Sequence, residues 1–279
     1  MRYLNELSLK NALILIVFSI LLISGSVAAG LFYWNLHKQR RFSDPRYHLV
    51  AIIQSCSDKE PLQTNYLAEL LELSTNQPTN LYRFNVEEAE QKLLMCPLIK
   101  SVKIKKIKPG MLYIDYSLRT PIAYVMDYSN TAIDSDGVLI PFKPFNTPKK
   151  IPELVLALPI GLKWGTNIFG DKIKLAKEVM KSISQEGLTQ FCSLKRIDVS
   201  KAFSKKWGER EIVLFFEDHS GTYSNSQTLP HLCMVRFSSQ SWQNQLVNYK
   251  KLRQNLVLKS QGSPSMVDMR ISQLAFITN

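Results

Sequence analysis

Residues 97–118 read Pro97-Leu98-Ile99-Lys100-Ser101-Val102-Lys103-Ile104-Lys105-Lys106-Ile107-Lys108-Pro109-Gly110-Met111-Leu112-Tyr113-Ile114-Asp115-Tyr116-Ser117-Leu118. From Ile99 to Lys106, Val102 and Ile104 alternate with Ser101, Lys103 and Lys105, the period-two pattern of a strand with one short apolar face and one largely basic face. Lys108-Pro109-Gly110 is turn chemistry, and Leu112, Ile114, Tyr116 and Leu118 alternate on the return strand. Pro97 closes a helix predicted over Val86 to Met95. That helix carries Val86, Ala89, Leu93 and Leu94 on one side, has Glu87, Glu88 and Glu90 early where the helix dipole favours anions, and has Asn85 as its cap. Upstream, Thr64 to Leu73 has a helical pattern (Tyr66, Leu67, Leu70, Leu71) capped by Thr64 or Asn65. Tyr47 to Ile53 is dense enough in apolar residues for a strand. The sum is β-α-α-β-β in about 75 residues, a size suited to one small domain.

Further upstream, no charged residue occurs from Asn11 to Leu36. A helix needs about 20 apolar residues to cross a hydrocarbon core, and this run supplies them. Tyr33 and Trp34 fall where an interfacial aromatic belt belongs, and Lys38, Arg40 and Arg41 follow directly. Ser26-Val27-Ala28 has the small residues of a signal-peptidase site, but the run continues into Leu31-Phe32, beyond an h-region of about 7–15 residues. The reading is therefore a membrane-embedded helix over residues 11–34, followed by a polar linker to Arg46. Flanking charges leave its orientation open, because long domains translocate largely regardless of charge.

Downstream, Ala132 to Leu139 reads as two short strands about an Asp-Gly turn. Lys172 to Ile183 is an amphipathic helix (Ile173, Ala176, Met180, Ile183) ending near Gly187. Strands are predicted at Leu194–Val199, Ile212–Glu217 and Leu232–Phe237, with Asp218 to Gly221 as a hairpin turn. Ser241 to Leu258 is a helix with Trp242, Leu246, Tyr249, Leu252 and Leu256 at core spacing, and Met266 to Ile277 closes the chain as a strand.

The chain has 35 Lys and Arg against 23 Asp and Glu, a net charge of +12, with 45% hydrophobic and 21% charged residues. Those proportions exclude a disordered chain. The four histidines are scattered, with no His-Glu-x-x-His spacing, and His219-Ser220-Gly221 is not a nucleophile elbow. Asp134 and Asp136 fall short of the roughly six to eight oxygens that calcium takes, so they read as a turn. Cys56, Cys96, Cys192 and Cys233 contain no Cys-x-x-Cys. They read either as four thiols or as the pairs Cys56–Cys96 and Cys192–Cys233. The basic run Lys100, Lys103, Lys105, Lys106 and Lys108 lacks interleaved aromatics for base stacking. It reads as an edge strand guarded by lysine, or as a contact for a partner or anionic lipid. No cofactor, small-molecule substrate or nucleic-acid partner is indicated.

The order of features resembles the FtsQ/DivIB family of bitopic bacterial division proteins. Residues 97–114 are similar to the family's proline, strand, basic-proline turn and leucine-led strand. Arg119-Thr120-Pro121 is similar to its arginine–any–proline motif. Ile133-Asp134-Ser135-Asp136-Gly137-Val138 is similar to the turn opening its β domain, and Val267-Asp268-Met269-Arg270-Ile271 to its terminal Asp-Leu-Arg-aromatic strand. Met269 and Ile271 depart from that last pattern. The resemblance implies an α+β protein: cytoplasmic tail 1–10, transmembrane helix 11–34, linker 35–46, a β-α-α-β-β POTRA domain over 47–122, and a mainly antiparallel β domain with two helices over 123–279. It further implies a non-enzymatic scaffold of the divisome in the cell inner membrane at the division site. Its large C-terminal part would be periplasmic and would bind small coiled-coil membrane proteins of the FtsB/FtsL type.

On that reading the last strand offers an open edge to a partner strand through Asp268, Arg270, Ile271, Ser272, Leu274 and Phe276, with Arg270, Ser272, Leu274 and Phe276 facing one way. The alternative for this strand is an interior one, with Arg270 in a structural ion pair. Lys38, Arg40 and Arg41 would face lipid. Two other classes compete: a POTRA-bearing envelope secretion or assembly component, which would set its POTRA beside a long β-barrel, and a membrane-anchored enzyme.

Overall fold

Helix α1 (Leu9–Ser43) runs 35 residues without a break, because nothing from Leu9 onward stops a helix before Pro45. It is long and apolar enough to cross a membrane. The linker expected over residues 35–46 is therefore helical as far as Ser43. In the computed structural model the described residues are 9–74, 76–218, 232–258 and 264–278. The predicted hairpin turn at Asp218–Gly221 lies largely outside them, as does most of the tail 1–10.

The protein is a mixed α+β chain with two sheets. It divides into two compact units, one of Met1–Ser57, Gln63–Leu93 and Val102–Tyr116, the other of Asp58–Leu62, Leu94–Ser101 and Ser117–Asn279. The short pieces join the second unit through the backbone: Leu118 N–H donates to the Asp58 carboxylate (2.7 Å) and Arg119 N–H to the Leu98 carbonyl (2.8 Å).

After α1 a 3₁₀ turn at Pro45–Tyr47 precedes β1 (Ala51–Cys56), which starts four residues later than its apolar pattern suggests. Leu49 and Val50 donate instead to the Thr79 and Gly110 carbonyls. Then come α2 (Thr64–Leu70), α3 (Val86–Leu94), β2 (Ile99–Ile107) and β3 (Met111–Leu118). The sheet order is β1-β3-β2, with β1 parallel to β3. Asn85 caps α3 as expected, accepting from Glu87 and Glu88 N–H. The cap of α2 is Gln63, which makes no side-chain bond, rather than Thr64 or Asn65. Leu94, expected on the buried side of α3, is exposed. Gly110 leaves room for the chain: a Cβ there would lie 2.1 Å from the His48 carbonyl oxygen.

The second unit contains β4 (Pro121–Val125), β5 (Thr131–Asp134), β6 (Leu139–Pro141), β7 (Glu153–Val155), α4 (Asp171–Gln185), β8 (Cys192–Asp198), β9 (Glu211–Asp218), β10 (Leu232–Ser238), α5 (Trp242–Leu258), β11 (Met266–Asp268) and β12 (Phe276–Thr278). They make one sheet in the order β12-β11-β10-β9-β8-β7-β4-β5-β6. It is mixed: β4–β7, β7–β8 and β10–β11 are parallel, and the other pairs antiparallel. Strands β4 and β7 escaped the sequence reading, since each is short and carries or follows a proline.

Helices α4 and α5 supply the core through most of the predicted positions; Met180 and Leu252 are partly buried, and the side chain of Leu256 lies outside the described residues. Ile173, Ala176 and Ile183 are buried, as are Trp242, Leu246 and Tyr249. Tyr249 stacks on Phe216 and meets Phe237 edge-on. Beneath them Arg253 and Asp218 form a fully buried ion pair. All four cysteines are thiols. Cys192 on β8 and Cys233 on β10 flank β9, roughly 10 Å apart at one strand spacing per step, beyond disulfide reach. Burial pushes the Cys192 thiol up to about 12.

Candidate partner-binding site

Asp268, the last residue of β11, sits directly opposite Arg236 of β10, and Glu211 opens β9 beside them. Arg236 donates to Glu211 Oε2 through Nε (2.9 Å) and Nη2 (2.6 Å) and lies 3.4 Å from Asp268. Arg270 donates from Nε to both Asp268 oxygens (3.0 and 3.1 Å) and from Nη2 to Oδ2 (2.7 Å), and reaches Glu211 at 3.4 Å. Two carboxylates and two guanidiniums alternate, so the cluster is neutral and each acid has two cationic partners. Sequence alone could not name an acid for Arg270. The acids are its neighbour Asp268 and the distant Glu211.

Partial burial pushes the Asp268 carboxyl up. Hydrogen bonds from the Arg270 side chain and backbone, with the charges of Arg270 and Arg236, outweigh it and hold the group below its ordinary 3.8. A depressed carboxylate stabilises the fold above its unfolded pKa, and that contribution is lost as pH falls through the folded value. Stability should therefore drop below about pH 4. Asp268→Asn should flatten the drop in denaturation titrations between roughly pH 2 and 5; an unchanged slope would show that Asp268 is not its source.

The same Asp268 ends β11. Its Oδ1 accepts from Arg270 N–H (3.1 Å), and Gln273 adopts a left-handed φ of 64°, so the chain turns back at residues 271–273. The continuous strand predicted over Met266 to Ile277 is thus two three-residue strands, β11 and β12, antiparallel to each other. The reason is local: a side chain that bonds the backbone two residues on offers an alternative to the ladder. Arg270, Ser272, Leu274 and Phe276 consequently do not share one strand face. Ser272 lies in the turn, Leu274 just after it, and Phe276 on β12.

β12 is one of the sheet's two terminal strands, and among the described residues no strand pairs with its outer side. Ile271, Leu274, Phe276 and Ile277 are each about half exposed (45–55%). Beside this edge a cavity of 340 Å³ is lined by Trp207, Arg210, Ser238, Asp268, Arg270, Ile271 and Phe276, among others. Arg210 covers the Trp207 ring at 4.2 Å. The cavity thus has an apolar wall of Ile271 and Phe276, an aromatic–cation wall, and a charged floor.

No family model and no curated protein matches this chain.

What the edge can bind follows from its chemistry. A row of unpaired backbone groups accepts an added strand, and exposed apolar side chains reward one whose own apolar residues alternate. Of the six residues singled out from sequence, the cavity brings together Asp268, Arg270, Ile271 and Phe276, and leaves Ser272 and Leu274 outside its lining. Trp207, Arg210, Glu211 and Arg236 were missed. Trp207 alone left a trace in sequence, a large aromatic between Lys206 and Gly208 with no apolar periodicity around it.

The other motif residues serve structure. Arg119 donates to buried Asp134 Oδ2 (2.7 Å), while Asp134 Oδ1 accepts from Asp136 N–H (3.0 Å) and Val138 N–H (2.8 Å). Two of the patterns quoted above therefore lock one hairpin. Among the described residues no group of three or more His, Cys, Asp or Glu could hold a metal ion. Lys38, Arg40 and Arg41 are exposed on the last turns of α1.

Proposed function

We propose that this protein is a non-enzymatic scaffold of bacterial septum assembly, similar to FtsQ/DivIB. It is held in the cytoplasmic membrane by α1, and it binds small coiled-coil membrane proteins of the FtsB/FtsL type by strand addition at β12. The observation that carries the reading is the terminal place of β12 in the sheet, with Phe276 and Ile277 exposed near the Trp207 cavity. Native proteins blunt edges unless they use them, and this one has apolar residues where guards belong. The β-α-α-β-β order with sheet order β1-β3-β2 supports a POTRA assignment for the small fold. The Arg119–Asp134 bond gives two family-like motifs a shared physical purpose. On this reading the segment after α1 is periplasmic.

The test is capture by the full chain, in detergent, of candidate coiled-coil division proteins. Phe276→Lys with Leu274→Lys adds charge at exposed positions without touching the core. Binding should fall at least about tenfold, consistent with an interface centred on a few apolar anchors. Trp207→Ala should weaken it less. Undiminished binding by both variants would remove the edge mechanism, and failure to capture any such protein would remove the scaffold reading.

A further inference from the structure

In the first unit, Asn80 is 5% exposed and reaches across to the end of α1. Its Nδ2 donates to the Arg41 carbonyl (3.0 Å) and the Asp44 carbonyl (3.4 Å), and its Oδ1 accepts from Tyr82 N–H (2.9 Å). Carbonyls at a helix C-terminus have no partner within the helix, so this side chain both caps α1 and fixes the 80–83 segment against it. The ring contacts follow. Arg41 lies 5.7 Å from the Tyr82 ring centroid, Arg83 lies 5.9 Å from Phe42, and Lys38 lies 5.6 Å from Phe42 and 6.0 Å from Trp34. Lys38, Arg41 and Arg83, the last 42 residues after Arg41, thereby pack on the rings of Trp34, Phe42 and Tyr82, and all three are exposed.

Their depth is set by the helix. The uncharged run ends at Leu36, and at 1.5 Å per residue Lys38 and Arg41 stand roughly 3 and 8 Å beyond it. A headgroup layer occupies about that distance on each side of a hydrocarbon core. The acid nearest in sequence, Asp44, is already held by Arg46 at 2.7 Å. The C-terminal dipole of α1 opposes an anion with about half a charge. Three cations outweigh it.

We infer that Lys38, Arg41 and Arg83, clamped by Asn80, form a binding site for the headgroup of an anionic glycerophospholipid in the leaflet that the C-terminal end of α1 enters. The site rests on α1 spanning the membrane, not on any protein partner. Its charge matches a phosphodiester with no balancing cation, and its aromatic rings suit the interface. Arg83 is the element that sequence neighbours could not supply. Asn80 makes the site preorganised rather than a loose basic cluster.

The test uses the full chain in nanodiscs of phosphatidylcholine doped with brominated phosphatidylcholine or brominated phosphatidylglycerol, reading short-range quenching of Trp34. The brominated anionic lipid should quench at several-fold lower content than the zwitterionic one. Arg83→Gln should reduce that preference roughly fivefold, the effect of one cation near a charged surface. Arg83→Lys should retain most of it, and Asn80→Ala should lose part with every charge kept. Because Arg83 is exposed, its variants keep the test intact if Asn80→Ala fails to fold. Equal quenching by both lipids, or full preference in Arg83→Gln, overturns the site. Displacement by millimolar inorganic phosphate overturns the lipid assignment, and no quenching by either lipid overturns the span itself.

Discussion

Arg253→Met is expected to lower the unfolding free energy of the second unit by about 3–5 kcal/mol, the cost of removing one partner of a buried ion pair. Arg253 and Asp218 side chains are each 2% exposed. Among the described residues Asp218 Oδ2 and Arg253 Nε have no hydrogen-bond partner. The pair therefore leaves polar atoms unpaid for in a region packed by Tyr249, Cys192 and Cys233. Without Arg253 the Asp218 carboxylate must stay charged in the interior or take up a proton, and either costs stability. Changing both residues, Asp218→Leu with Arg253→Met, removes the charges together and should recover most of the loss, since paired burial is weakly stabilising at best. Urea denaturation followed by tryptophan fluorescence checks this, because Trp164, Trp207 and Trp242 all belong to the second unit. A double variant as unstable as the single one would show that the volume of Arg253, rather than charge balance, sustains the site.

Asp134→Ala should cost about 2–5 kcal/mol by the same measurement. One carboxylate satisfies two backbone N–H groups through Oδ1 and the Arg119 guanidinium through Oδ2. Alanine removes the acceptor of the buried Val138 N–H and of the Asp136 N–H, and leaves Arg119 only its 3.5 Å contact with Asp136. Asp134→Asn keeps the Oδ1 acceptor and should cost about half as much, because only the charged bond to Arg119 is lost. Arg119→Met in the Asp134→Ala background should add little, since residues in one network are not additive. A full further loss there would place the role of Arg119 elsewhere. The turn itself depends on Gly137, whose φ is 94° and whose Cβ would meet the Ile168 carbonyl oxygen at 2.9 Å.

Local patterns were legible wherever one period ran long enough. The apolar run of α1, the cap and acidic first turn of α3, the alternation on β2 and β3, and the stripes of α4 and α5 each express a residue's own preference or its neighbours' spacing. So does the Asp-Gly turn between β5 and β6. The three-residue strands β7, β11 and β12 are too short for periodicity, and only pairing makes them strands. The terminal segment shows the limit most directly: residues 266–277 alternate well enough for one strand, yet the Asp268 carboxylate bonds Arg270 N–H and the chain folds back.

By itself the sequence determined one span of membrane length, a small β-α-α-β-β fold, and a second, larger part with two core helices. The tertiary structure alone decided that β12 ends the nine-stranded sheet, that Trp207 and Phe276 line one cavity, that Glu211 and Asp268 share Arg236 and Arg270, and that Arg83 joins the end of α1. The physical reason is range. Helix and strand periods are read within a turn or a pair of residues, whereas ion pairs and edges depend on which strands meet, over separations such as the 59 residues between Glu211 and Arg270.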